Sequence, residues 1–156
     1  MDIKLFLILL ALGVIILLYV RYKKKIGQEL IVAFLIALDW TLYYPYEYVG
    51  DSEYLIGNSI NLYPLTLWTA GLVILREAYE HIQTARWLKF LYITLAYWFV
   101  LGLIEAFGYY TLGIRITPSY PSLFGIGILH NPFFAQIFYL TIGPIYLLIT
   151  DYLKVK

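Results

Sequence analysis

The chain of 156 residues has no cysteine, one methionine and two histidines, and only 13% of it is charged. Without cysteine there can be no disulfide, thiol nucleophile or thiolate metal site. The two histidines, His81 and His130, stand far apart, so no paired-histidine zinc helix and no Ser/His/Asp arrangement can be drawn; a phosphate-binding glycine loop is also missing. Soluble domains carry about a quarter of their residues as charged side chains. This chain, 62% hydrophobic, lacks the polar surface to cover itself in water, and lipid is its natural solvent. A net charge of +1 gives no reason to expect nucleic acid as a partner.

What is present is a series of apolar stretches. They run over Leu5–Val20, Leu30–Tyr46, Leu62–Glu80, Trp87–Gly108 and Pro132–Asp151, each near the roughly 17 to 25 residues that a bilayer-spanning helix needs. The sequence therefore predicts an all-α, polytopic integral membrane protein, one transmembrane domain over residues 1–156 built as a five-helix bundle. Arg21, Lys23, Lys24 and Lys25, then Arg76, Arg86 and Lys89, then Lys154 and Lys156 all fall on one side of that plot; Lys4 and Arg115 fall opposite. Positive flanks stay inside the cell during insertion, which puts the N-terminus outside and the C-terminus in the cytoplasm of a multi-pass cell-membrane protein. The first stretch precedes its positive cluster, the reverse of a cleaved signal peptide, and reads as an uncleaved anchor.

In this topology residues 47–61 and 109–131 are external loops, and His81–Arg86 is a short internal turn from which Thr84 can cap the fourth helix. Asn131 and Pro132 read as an N-cap followed by proline at the first helical position. Ser119–Leu129 is too apolar for a solvated loop and is expected to lie at the interface or to dip over the bundle as a lid. Pro144, after Gly143, should kink the last helix. Gln136, Tyr139, Gly143 and Tyr146 form its expected packing stripe.

The candidate chemistry lies in acids within the apolar stretches. Asp39 sits midway along the second and Glu105 in the outer part of the fourth. A charge facing acyl chains is expensive, about 2.5 to 3.5 kcal/mol for a central aspartate, so both are expected to turn inward. At helical spacing Asp39 shares a stripe with Tyr43 and Tyr46, and Glu105 shares one with Trp98, Gly102 and Tyr109. Their depths allow one outward-facing cavity. Within it Asp39, Glu105 and His130 are the candidate catalytic proton carriers, and Tyr43, Tyr46, Trp98, Tyr109 and Arg115 the candidate substrate-binding residues. Proton-delivering acids beside electron-rich rings suit a lipid or isoprenoid substrate that passes through a cationic species. The competing reading makes the acids interhelical glue.

Neither a metal nor another cofactor is indicated. Glu77 and His81, one turn apart, offer two ligands with no evident third, and neighbouring Arg76 opposes a cation. His81 and His130 are expected on opposite faces of the bilayer, which excludes a haem held by both.

The stretch from Gly57 through Asn58, Asn61, Tyr63, Pro64 and Leu65 to Trp68 is similar in outline to the loop-to-helix passage of membrane carotenoid cyclases. That family's pattern has two acids after the Pro-Leu pair, and Thr66 and Leu67 stand there in this chain. The likeness therefore implies no catalytic residue. Composition and spacing leave three functions open: binding or modification of a lipid or isoprenoid, a non-catalytic subunit of a larger membrane complex, and a small proton-coupled transporter. A homo-oligomer is compatible with each.

Overall fold

Five helices form where the five apolar stretches lie. A computed structural model describes residues 2–22, 26–43, 54–57, 60–114, 120–128 and 130–154. Helix α1 spans Ile3–Tyr22, α2 Gly27–Tyr43, α3 Leu62–His81, α4 Arg86–Tyr110 and α5 Phe133–Lys154. A small antiparallel ribbon, β1 (Leu55–Ile56) with β2 (Ile60–Asn61), precedes α3, and a single 3-10 turn, Leu123–Gly125, lies before α5. The all-α class is thus met. α2 begins three residues earlier than expected, and its expected last turn, with Tyr46, lies outside the described residues.

Three of these helices, α1, α4 and α5 through Leu153, are long and apolar enough to cross a membrane. This is narrower than the five spans expected. α2 has 17 residues, and α3 carries Arg76, Glu77, Glu80 and His81 in its last two turns.

α3 is the hub. Helices α1, α2, α4 and α5 all pack on it, with α2 the most extensive neighbour. The reason is legible in α2, where Ala33, Ala37 and Thr41 recur every fourth residue and are buried, giving a small-residue stripe that lets two backbones approach closely. Thr41 keeps its hydroxyl satisfied within the helix by donating to the Ala37 carbonyl at 2.7 Å. Asn61 caps α3, its side chain accepting from the Tyr63 N–H at 3.1 Å. Pro64 falls in the first turn, where a missing N–H matters least.

α5 buries the expected stripe of Gln136, Tyr139, Gly143 and Tyr146. A Cβ on Gly143 would come within 2.8 Å of the Tyr97 ring and 3.0 Å of Leu75, so only glycine admits this approach of α4 to α5. Pro144 deprives the Leu140 carbonyl of its helical donor. The indole Nε1 of Trp98 donates to that carbonyl at 2.8 Å, and the Tyr97 hydroxyl donates to the neighbouring carbonyl of Tyr139. Trp98 thus replaces the donor that Pro144 lacks, and Tyr97 adds a second bond from α4 beside it.

At the end of the bundle where the chain begins, the Tyr54 hydroxyl donates to Asp2 at 2.8 Å and ties the start of α1 to the ribbon. That bond, with the Lys4 N–H at 2.8 Å, holds the Asp2 carboxyl below its ordinary range. At the opposite end lie Arg21, Arg76, Arg86 and Lys89. The helix starts differ from expectation in two places. Ala85, not Thr84, occupies the N-cap of α4 and makes no side-chain bond. At α5 the Pro132 carbonyl accepts from the Gln136 N–H at 3.1 Å, and the Asn131 side-chain oxygen caps nothing among the described residues.

Much of the apolar surface remains outside the bundle. α4 buries only Ile93 and Thr94, and Leu91, Leu95, Phe99, Leu103 and Phe107 stand exposed along it. Patches of that size on a water-soluble monomer are rare.

Candidate functional site

α1 and α4 both lean on α3 and scarcely meet one another, and the cleft between them is a cavity of about 580 Å³. Its wall on α3 runs from Tyr63 to Ala78, which at about 1.5 Å per residue makes it roughly 22 Å long. Leu10 and Val14 of α1 and Val100 and Ile104 of α4 flank it. The walls are apolar for most of this length.

Polar atoms gather at the Asp2 end. Glu105 and Tyr109 from α4, His130 and Asn131 from the start of α5 and Tyr63 from the start of α3 all border the cavity there. Glu105 and Tyr109 arrive together because residues four apart share a helix face. His130 stacks on Tyr109, with ring centroids 4.5 Å apart and planes at 16°. Asn131 is 1% exposed, and neither its Oδ1 nor the buried Nδ1 of His130 has a hydrogen-bond partner among the described residues. Glu105 is half-buried and forms no hydrogen bond or ion pair among the described residues. Asn131 Oδ1 and His130 Nδ1 are shut off from the chamber itself, and Glu105 is the carboxyl group that borders it.

The described part of the segment before α5, residues 120–128, is tied to α4 and α5. Leu123 N–H donates to the Ile128 carbonyl at 3.0 Å, the Tyr110 hydroxyl to the Gly127 carbonyl at 2.8 Å, and Gln136 Nε2 to the carbonyls of Pro121 and Asn131 at 3.0 and 2.9 Å. Gly125 and Gly127 take positive φ angles of 75° and 74°, which lets these short turns form. Leu123 packs on Trp40, Ala135 and Tyr139. Ser119 and Leu129, the ends of the expected lid, lie outside the described residues.

The expected site residues separate into groups. Glu105, Tyr109 and His130 come together on the cavity. Asp39 does not join them: it is exposed on α2 and is not among the described lining residues, because the buried stripe of α2 is Ala33, Ala37 and Thr41 and Asp39 points away from it. The expectation that both acids turn inward fails for this one. Tyr43 is 72% exposed and packs on Phe134 with ring centroids 6.0 Å apart, outside the cavity. Trp98 is also away from the cavity, engaged by the Leu140 carbonyl. Tyr46 and Arg115 lie outside the described residues.

Sequence reasoning missed Asn131 as a cavity residue, since Asn-Pro before a helix signals a cap. It also missed a buried ionic cluster at the other end. Arg76, 1% exposed, contacts Glu29 at 3.2 Å, Asp151 at 2.6 Å and Glu80 at 2.5 Å. The Tyr79 hydroxyl donates to Asp151 at 3.0 Å, and the Tyr146 hydroxyl donates to the Glu29 backbone carbonyl at 3.1 Å. α2, α3 and α5 are locked through these bonds. The Arg76–Glu80 pair follows from helical spacing, whereas Glu29 and Asp151 reach Arg76 only through the tertiary fold. His81 Nδ1 lies 2.7 Å from the Glu77 carbonyl, an intrahelical contact, and no cluster of metal-ligating side chains is present among the described residues.

Fold and site thus define an all-α protein with three helices suited to membrane association and a long apolar cavity that is polar at one end. Compared with known protein families, curated proteins and solved structures, the chain matches none of them.

Proposed function

We propose that this is a multi-pass cell-membrane protein, N-terminus outside and C-terminus cytoplasmic, that binds or modifies a lipid or isoprenoid in the cavity between α1, α3 and α4. The observation that carries the reading is Glu105, half-buried and without a hydrogen bond or ion pair among the described residues, bordering with Tyr109 and His130 one end of an otherwise apolar chamber. An amphiphile lying along α3 with its head there satisfies both kinds of surface. The volume falls within the roughly 300 to 1,000 Å³ usual for ligand sites.

Membrane insertion is supported by the apolar surface that α4 leaves uncovered, which a bilayer would cover. The position of Arg21, Arg86 and Lys89 at one end supports the orientation. α2 and α3 cross with the other three in this reading. The polarity of α3 is compatible with that because its neighbours and the Arg76 cluster shield it from acyl chains. Glu105 and His130 are the candidate proton carriers, and Tyr109 fixes the His130 ring. Asp39, Tyr43 and Trp98 have no part in it.

Exposed Asp39, among exposed Leu35, Leu42 and Tyr43, favours a second reading in which a partner of a larger membrane complex covers that face of α2.

Native mass spectrometry of gently solubilised protein tests the first reading. Wild-type chain should carry a co-extracted lipid of defined mass. Gly71→Phe should be folded and empty, because Gly71 lines the cavity with open space where its side chain would project. A wild type as empty as Gly71→Phe, or a variant as fully loaded as wild type, removes the reading.

A further inference from the structure

Asp39 is the acid that the cavity leaves out, and its surroundings define what belongs beside it. It lies on the side of α2 turned away from the buried Ala33, Ala37 and Thr41, and it makes no hydrogen bond or ion pair among the described residues. We infer that this face of α2 is the docking surface for a transmembrane helix of a different protein, one that carries a lysine or arginine near the middle of its span. The inference rests on the second reading above, that a partner covers α2, and supplies the partner's chemistry. It does not depend on the lipid site.

Depth carries the first part. Trp40, the next residue, stacks on Phe138 of α5, with ring centroids 3.6 Å apart and planes at 5°. Two residues further along α5, the Leu140 carbonyl accepts from Trp98, the middle residue of α4. These contacts put Asp39 within about two helical turns, roughly 10 Å, of the centre of a helix long and apolar enough to cross a membrane. Half the hydrocarbon core of a bilayer is about 15 Å. In a bilayer, a carboxylate turned outward at this depth faces acyl chains, whereas acids inside membranes almost always face a protein neighbour or a wet cavity and pair there.

The surface around Asp39 fits a helix. Ile31, Leu35, Leu38 and Leu42 follow one another at spacings of four, three and four, the repeat of a helix-packing seam, and Asp39 flanks it. Ile31, Leu35 and Leu42 are exposed. The sign of the partner follows from the acid: a lysine or arginine alone at this depth is as costly as the carboxylate, and pairing relieves both. No helix of a second copy offers such a cation. Lys4 and Arg21 in α1, Arg86 and Lys89 in α4 and Lys154 in α5 all stand in the first or last turn of their helices, and α2 has no basic residue. Arg76, deeper in α3, is 1% exposed and committed to Glu29 and Asp151.

The test uses the full-length chain labelled with a donor fluorophore at Leu55→Cys and reconstituted in phosphatidylcholine vesicles. Acceptor-labelled, leucine-rich transmembrane peptides are added that differ only at their central residue: lysine, leucine, serine or glutamate. The lysine peptide is expected to associate about tenfold more tightly than the leucine peptide, as about 1.4 kcal/mol requires, and to lose that advantage in Asp39→Asn. Asp39→Lys should transfer the advantage to the glutamate peptide. Lysine and leucine peptides that bind wild type alike, a serine peptide as tight as the lysine one, or a lysine advantage that survives in Asp39→Asn would each overturn the cationic partner. Energy transfer between labelled copies of wild type, lost in Asp39→Asn, would overturn it by making the chain its own partner. These outcomes leave a covered α2 face standing. That reading falls, and this inference with it, if Asp39→Cys in native membranes reacts with a water-soluble maleimide as fully as Leu55→Cys does, because the residue would then face water.

Discussion

The indole N–H of Trp98 donates to the carbonyl of Leu140 at 2.8 Å, the carbonyl that Pro144 leaves without a helical donor. A residue whose sequence suggests a substrate contact is thus a repair to the backbone of α5. Trp98→Phe should destabilise the protein by about 0.6 kcal/mol and by no more than about 1.7, the average and the maximum measured for single interhelical hydrogen bonds in a membrane protein. Pro144→Ala restores an N–H at that place, so the loss on Trp98→Phe should shrink in that background. Unfolding in mixed micelles for the four members of this cycle checks it. Equal losses in both backgrounds would deny the coupling.

Arg76 contributes differently. Its guanidinium is buried against Glu29 and Asp151, and removing it takes the buried cation from both carboxylates, with the exposed Arg86 still 3.6 Å from Asp151. Arg76→Leu should therefore cost about 3 to 5 kcal/mol, as breaking buried pairs does. Arg86, 67% exposed and 3.6 Å from Asp151, should matter by less than about 1 kcal/mol on Arg86→Ala. Chemical unfolding of the two variants side by side separates these outcomes.

The packing of α5 on α4 gives a third contrast. Gly143→Ala meets the Tyr97 ring, which its own hydrogen bond to Tyr139 holds in place, and should lose about 1 to 3 kcal/mol to overpacking. Gly71→Ala meets nothing within 4 Å and should be neutral or slightly stabilising. Thermal denaturation in detergent reads both, and a Gly143→Ala as stable as Gly71→Ala would contradict the close approach.

The absence of cysteine makes the topology directly measurable, since any introduced thiol is the only one. Leu55→Cys, on the exposed ribbon, should react with an impermeant maleimide added to intact cells. Thr84→Cys, between α3 and α4, should react only after permeabilisation. The reverse pattern would invert the orientation.

Helix positions were readable because apolar length and flanking charge act locally: all five helices appear where the hydrophobic stretches lie, and the stripe of α5 through Tyr139 and Tyr146 is buried as its spacing implies. The facing of single residues was less readable. Asp39 follows the rotation of α2, which is fixed by where Ala33 and Ala37 meet α3, and a lone acid has too little influence to reset that packing. Asn131 reads as a cap by its neighbour Pro132, and only the tertiary arrangement of α4 and α5 turns it to the cavity. Glu29 and Asp151 are separated from Arg76 by 47 and 75 residues, a distance that helical periodicity does not bridge.

Site-specific photo-crosslinking tests the central claim most directly. With p-benzoylphenylalanine at Ile74, on the cavity wall, or at Leu35, exposed on α2, irradiation in membranes containing a clickable isoprenoid lipid should label the Ile74 position strongly and saturably. Unlabelled lipid of the same kind should compete there and leave the faint labelling at Leu35 unchanged. Equal, unsaturable labelling at both positions would mean that the cleft holds only bulk lipid, and the account of a bound amphiphile would be wrong.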